Sequence, residues 1–595
     1  MKLIQLYANK ENFRRVTFKD GINIVVGQIK DQRNYKKDSH NLGKTTLIHL
    51  IDFMLLKEIN KDHFLKKQQF KGYVFYLEIM SNSGQYITIR RSTDKNTKIS
   101  FKYHSKPMQN YINESMWDDE NIPLKGKDDE NPKLKLNALL GFDVLQNYSY
   151  RNTINYFLRT QNDYQDVFKL SKNVGKHINW KPILYQMLGF SSEFFYEKLK
   201  KDDEVESLKK NIENIEKEFK IDETLRDKLM GLIDIKEDEL YKKSKEIEKF
   251  DFYMNERGLN KQIIDEIETK ISELNSLEYN ITFEINKINE SFEETDNIDL
   301  QEVFQIYEEA SIFFDGQLKK SYKDLLEFNN KLTSERTKHL VNVLKKKKEK
   351  LSEIREELAR LNEKRQVVLG SLQEKDVFKK FKKYQDEVSD LQVEIAKIQN
   401  DIDNVDVVSN IRKKLTIAKN DQDDLKEKIS QEIKKSNNLY KGIKRDYYHL
   451  MNDVLSKDGV LSIYQNQNGN VEFKAEIENM DHEATAEDQG HSYKKLLCMI
   501  FDITLLKNYY DKSFFKFVYH DGPLEVLDPR KQVKYLDMIV KLCNQKPELQ
   551  YIFTMIESDL PMIEGNKKYP LSDFHIAVEL NDDEDGKGTL FGFEF

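Results

Sequence analysis

Cysteine is almost absent. Cys498 and Cys543 are the only two in 595 residues, so neither a disulfide framework nor a C-x-x-C metal pair can form, and a reducing cytoplasm is the expected setting. Proline is missing from the whole span between Pro182 and Pro523, which leaves long helices there unbroken. No run of ~18 apolar residues occurs and no charged-then-apolar leader follows Met1, so neither a membrane span nor a signal peptide is expected. Apolar residues make up only 38% against 33% charged, too polar for one globule of this length but suited to long solvated helices. The net charge of −7 excludes nucleic-acid binding through overall basicity, so any DNA contact must come from local patches.

Three regions follow. Residues 1–190 read as mixed α/β. Ile22 to Gly27 is a short apolar strand, Leu47 to Leu56 a buried helix, and Tyr73 to Ile79 and Tyr86 to Arg91 are strands joined through Ser81 to Gly84. Residues 195–450 carry apolar positions three and four apart on a charged background. One set is Val205, Leu208, Ile212, Ile215 and Phe219. Another is Leu344, Leu351, Ile354, Leu358 and Leu361, and a third is Leu391, Ile395, Ile398, Ile402 and Val405. Such spacing makes the seam of a coiled coil. Gly370 interrupts it, and the aromatic-rich stretch 296–330 is the expected apex, where the chain turns back to pair antiparallel with itself. Residues 451–595 return to α/β. They hold a hairpin around Asn468-Gly469, a helix from about Ser492 to Leu506, and strands at Phe514 to Tyr519 and Tyr551 to Thr554.

Asn41-Leu42-Gly43-Lys44-Thr45-Thr46 has the parts a triphosphate needs, placed after a strand and before a helix. Glycine admits backbone amides to phosphate oxygens, lysine reaches the β- and γ-phosphates, and the threonine hydroxyl binds Mg²⁺. Gly27 ends the strand, and the intervening Gln28 to His40 carries Lys30, Arg33, Lys36 and Lys37. Those cations are either a solvated loop or a contact for DNA phosphates or a partner. Near the other end, Asp521 closes the strand Phe517-Val518-Tyr519-His520 and can hold Mg²⁺ through water. Lys66, Lys67, Arg90, Arg91 and the run Lys345 to Lys348 are further candidate DNA contacts.

The separation of Lys44 from Asp521 by a long coiled-coil excursion resembles the SMC superfamily, with RecN and the zinc-hook repair ATPases. The hook itself is missing, since no cysteine precedes Cys498. The resemblance implies an α/β ABC-type (P-loop) ATPase head built from N- and C-terminal lobes, with an intramolecular antiparallel coiled-coil arm. It implies that Gln161 is the glutamine-loop residue reaching Mg²⁺, and that Asp488, Gly490 and Ser492 form a signature loop acting on the nucleotide of a second head. Leu527-Asp528 resembles the dimer-contact loop. The water-activating glutamate of these enzymes falls at Gly522, and Ile556 stands where a switch histidine belongs. Either Glu525 activates water from one turn away, or hydrolysis is slow and ATP mainly clamps two heads.

His520-Asp521-Gly522-Pro523-Leu524, with Ile306-Tyr307-Glu308-Glu309-Ala310, Phe313-Phe314, Gln317-Leu318 and Glu335-Arg336, is similar to the ATPase subunits of bacterial Lamassu-type and ABC-three-component anti-phage systems. That resemblance implies a homodimer through ATP-bound heads, an effector nuclease, a small accessory subunit and DNA as partners. A RecN-like repair or chromosome-maintenance ATPase, or a scaffold with a degenerate ATP site, remain the alternatives.

Overall fold

The computed structural model describes residues 1–28, 42–126, 131–172, 175, 177–219, 225–255, 261–293, 322–370, 375–478, 490–563, 567–583 and 586–594. The chain divides into two compact units. One combines Met1–Leu199 with Leu425–Phe595, and the other comprises the described residues from 200 to 424.

The first unit contains two main sheets. Five strands, all parallel, lie in the order His575–Asn581, Gly21–Gln28, Gln550–Ile556, Phe517–His520 and Leu158–Arg159. The middle strands are buried along nearly their whole length, which is why they read as unbroken apolar runs rather than alternating ones. Both halves of the chain contribute to this sheet, so neither half completes it alone. Six antiparallel strands form the second sheet, ordered Val16–Thr17, Lys2–Ala8, Val74–Met80, Tyr86–Ser92, Lys98–His104 and Asp119–Pro123. The Asp458–Gln465 and Val471–Glu478 hairpin turns at Gly469, whose φ of +75° suits glycine.

The border expected near residue 450 falls instead between 424 and 425. The helix Asn438–Leu455 buries Ile443, Tyr447, Leu450, Met451 and Val454 in the core of the first unit. That stripe continues the helical periodicity of the preceding residues, so spacing alone did not separate a coiled-coil seam from a core-facing helix.

An ion pair at the centre of the first unit joins the N- and C-terminal segments. Arg159 and Asp502 are both fully buried, with Nε and Nη2 donating to the carboxylate at 2.6 and 2.8 Å. Arg159 also donates to the carbonyls of Asp163 and Val167, and His520 Nε2 lies 3.2 Å from Asp502. Removing one member of such a pair leaves an uncompensated buried charge. Arg159→Met should therefore lower the unfolding free energy by about 3–5 kcal/mol in chemical denaturation.

The second unit is helical: Leu225–Asn255, Lys261–Glu293 and Tyr322–Gly370, with parts of Glu193–Phe219 and Lys375–Lys434. Ile267, Ile271, Ile281 and Ile285 pack on Ile354, Leu358 and Leu361, with Leu344 and Leu351 alongside. Ion pairs fix the direction. Glu268 meets Arg365, Glu278 meets Arg355 and Glu284 meets Lys347. In the second pairing Arg226 meets Asp406, Lys236 meets Glu394 and Lys243 meets Glu387. In each series one partner's number falls as the other's rises, so the helices run antiparallel within one chain. Ser272 and Asn275 also reach Gln392 and Ser389, so three helices meet there. Residues 294–321, most of the expected apex, lie outside the described residues, whereas 322–330 begin a helix. Among the described residues no helix is long and apolar enough to cross a membrane.

Candidate functional site

Four strands of the parallel sheet end at one edge. Register sets Arg159 and Phe553 on either side of His520, and Ile556 beside Gly27. The crevice beyond the carboxyl ends of parallel strands is where such sheets hold ligands. The chain segments leaving these ends carry Lys44, Gln161, Asp521 and Asp559.

The helix Lys44–Met54 starts at Gly43, whose φ is +95° and whose position has no room for a side chain: a Cβ would come 2.9 Å from Leu590 Cβ. No side chain caps this N-terminus, so its amides can face an anion. Lys44 is buried and lies across Gly27, where an added Cβ would approach its Nζ to 3.6 Å. Burial lowers the Lys44 pKa, opposed by the charges of Glu525, Asp521 and Asp559. Thr45 Oγ1 donates to Asp521 Oδ2 at 2.6 Å, and Thr554 Oγ1 donates to the other carboxylate oxygen at 2.6 Å. Thr554 also accepts from the Gly522 amide at 2.7 Å.

Glu525 folds back over Gly522. A Cβ at position 522 would meet Glu525 Oε1 at 2.6 Å and Oε2 at 2.9 Å. The Glu525 carboxylate thus fills the space that a side chain at 522 would enter. Gln161 Nε2 donates to Glu525 Oε2 at 2.9 Å. Burial raises the Glu525 pKa, with Lys495 and Lys44 pulling it down and Asp521 and Asp559 pushing it up. A carboxylate of raised basicity beside a glutamine is suited to accept a proton from water.

The donor set fits a triphosphate with a divalent cation. Lys44 and the open helix N-terminus can take phosphate oxygens, Thr45 and Asp521 present two oxygen ligands side by side, and Gln161 is hydrogen-bonded to Glu525. Thr46 follows in the same helix turn and is half-buried. Asn41 and Asp488 lie outside the described residues, as do Lys30, Arg33, Lys36 and Lys37. Gly490 precedes the helix His491–Asn508 and is exposed, while Ser492 Oγ donates to Val526 O of its own chain at 2.8 Å. Asp528 is exposed and caps the helix Pro529–Gln545 by accepting from the Arg530 amide at 3.0 Å. His520 is buried between Asp502 and Tyr551 and hydrogen-bonds to both.

Arg91 is not a surface cation. It is 1% exposed, lies 3.8 Å over the Phe53 ring, and donates to the carbonyls of Phe53, Lys57 and Asn96. Neighbouring residues of a strand face opposite sides, so the Arg90-Arg91 pair is split between them. Arg90 is the half-buried member, held by Glu120 and Ser100 and lying 4.4 Å over Trp117. Lys66 and Lys67 are exposed, and Lys347 is engaged with Glu284.

Thr554, Asp559 and Lys495 belong to the site but were not singled out from sequence. Lys495 offered a faint signal, as the last charged residue before the apolar run Leu496 to Phe501 on a buried helix.

Residues 449–595 match the family described as "Uncharacterised protein conserved in bacteria (DUF2326)". The chain is 21% identical over 617 residues to "Uncharacterized protein YydD" of Bacillus subtilis (strain 168), covering 97% of this chain and 96% of that one. Among solved structures it overlaps the Smc head domain with a coiled coil and joint from Pyrococcus yayanosii at 13% identity and a TM-score of 0.32, covering 93% of this chain and 92% of that one. It overlaps the Smc head domain with an extended coiled coil, bound to the C-terminal domain of ScpA, from Pyrococcus furiosus at 10% identity and a TM-score of 0.34, covering 94% and 90%.

Proposed function

We propose that this chain is an SMC-like ABC ATPase that dimerises through ATP-bound heads, senses foreign or abnormal DNA and controls an associated effector nuclease in anti-phage or anti-plasmid defence. The observation that carries the ATPase reading is the hydrogen bond between Thr45 and Asp521 at the edge where Lys44, Gln161 and Glu525 also converge. With ATP and Mg²⁺ bound, the ion would offset phosphate charge and the nucleotide would supply the phosphoryl group, which passes to water as ADP leaves. Lys44 would bind the phosphates, Thr45 and Asp521 would hold the ion, and Gln161 would orient water against Glu525. Glu525 Oε1 takes the proton in place of the glutamate that position 522 lacks. Gly490, Ser492, Asp528 and, by the sequence resemblance, Asp488 would serve a second head.

The defence role rests on the sequence resemblance and needs its own test. Co-purification of the chain from cells carrying its neighbouring genes should recover a nuclease and a small accessory subunit, and Lys44→Ala should remove protection against phage or plasmid. An ATPase that binds DNA but recovers no nuclease would instead be the RecN-like repair or chromosome-maintenance enzyme.

DNA contact is assigned to the basic segment Gln28 to His40, with Lys66 and Lys67 as additional exposed cations. Charge reversal of Lys30, Arg33, Lys36 and Lys37 should weaken binding of duplex DNA. Neutralising four phosphate contacts should also flatten the salt dependence by roughly 3–4 in log–log slope. An unchanged affinity and slope in fluorescence anisotropy would remove these four residues from the interface.

A further inference from the structure

We propose that Lys495 is the positioning residue for Glu525, fixing the turn from which that carboxylate reaches over Gly522. The inference rests on the ATPase reading above.

Lys495 lies in the second turn of the helix His491–Asn508 and is only 3% exposed. A buried ammonium needs compensation. Among the described residues no carboxylate forms an ion pair with it. Its Nζ donates instead to two backbone carbonyls, those of Gly522 and Glu525, the latter at 3.2 Å, and it sits 5.1 Å over the Tyr164 ring. These two carbonyls mark the ends of one tight turn, closed by a long bond of 3.3 Å from the Glu525 amide to Gly522 O.

The turn needs holding. Gly522 has a φ of +58°, and Val526, a β-branched residue, has a φ of +69°. Such a backbone persists only where its surroundings impose it. Ser492 Oγ, one turn earlier on the same helix, binds Val526 O. The start of this helix therefore grips the loop at three carbonyls, and Glu525 projects from between them toward Gln161. Tyr164, beneath the Lys495 ammonium, donates to Asp521 O at 3.2 Å, which joins the metal-binding strand end to the same assembly.

A neutral side chain at 495 removes the cation that both carbonyls share. Position 525 then loses its fixed approach, while Lys44, Thr45 and Asp521 keep their own contacts. The expected result for Lys495→Met is a fall of about 100-fold in single-turnover hydrolysis, the scale of a modest misplacement of a reacting group. Affinity for a fluorescent ATP analogue should fall far less than the rate, because Lys495 gives its hydrogen bonds to the turn and shares only the fields of Asp521, Glu525 and Asp559. Lys495→Arg, which keeps a cationic donor, should recover part of the rate. In a Glu525→Gln background, Lys495→Met should cost nothing further, because it acts through the group already removed.

An equal loss in both backgrounds, a loss of nucleotide affinity matching the loss of rate, or full turnover by Lys495→Met would overturn the proposal. Wild-type turnover that Glu525→Gln removes and Lys495→Met leaves intact overturns this inference alone. No Lys44-dependent turnover in the wild type overturns the ATPase reading with it.

Discussion

Lys44→Ala is expected to abolish ATP binding at micromolar nucleotide. The Lys44 ammonium is the cation that the site offers to phosphate beside an uncapped helix start. It already lies within the fields of Asp521, Glu525 and Asp559, so its truncation both removes the phosphate donor and leaves three carboxylates facing the incoming polyanion. Truncating one member of a buried charged pair costs about 2–5 kcal/mol, or roughly 30- to several-thousand-fold in affinity. Titration with a fluorescent ATP analogue reads this directly. Lys495 remains near the same carboxylates, so the fold should survive and the loss should be specific to nucleotide.

Glu525→Gln should give the opposite signature, with binding retained and turnover lost. Glutamine keeps the length and the bond to Gln161 but cannot accept the proton. General-base catalysis of this kind is worth about 10²–10⁴-fold, so single-turnover hydrolysis should fall by that factor and ATP-bound heads should accumulate as a dimer. Burial raises the Glu525 carboxyl above the ordinary glutamate range. The carboxylate must be deprotonated to act. The wild-type rate should therefore fall on acidification at a higher pH than an exposed glutamate would give. Unchanged hydrolysis by Glu525→Gln would exclude it as the base and leave ATP as a clamp.

Much of the first unit was legible in the sequence where apolar pattern decides structure. Ile22 to Gly27 and Tyr551 to Thr554 read as strands and are buried strands, and the structure pairs them in parallel. Lys44, at a helix start, and Asp521, after a strand, stand out in the sequence by residue type, and the structure brings Asp521 within hydrogen-bond distance of Thr45, the residue after Lys44. Glu525 was visible only as the nearest carboxylate. Its reach over position 522 depends on the left-handed backbone at Gly522, which sequence does not spell out. Lys495 was hidden because it binds carbonyls, which every residue carries. Arg91 was misread for a related reason: two adjacent arginines look like one patch, but a strand sends them to opposite sides. The 424/425 border was missed because a helix facing a core and a helix facing a coil partner share one periodicity.

Lys44 and Asp521, contributed by distant parts of the chain, are proposed to form one ATP·Mg²⁺ site. Calorimetric titration of ATP into the wild-type chain and into Asp521→Ala, with and without Mg²⁺, tests it most directly. One site per chain is expected, with Mg²⁺ strengthening wild-type binding and Asp521→Ala erasing that Mg²⁺ dependence. No saturable binding by the wild type, or an equal Mg²⁺ effect in both proteins, would rule out a shared site.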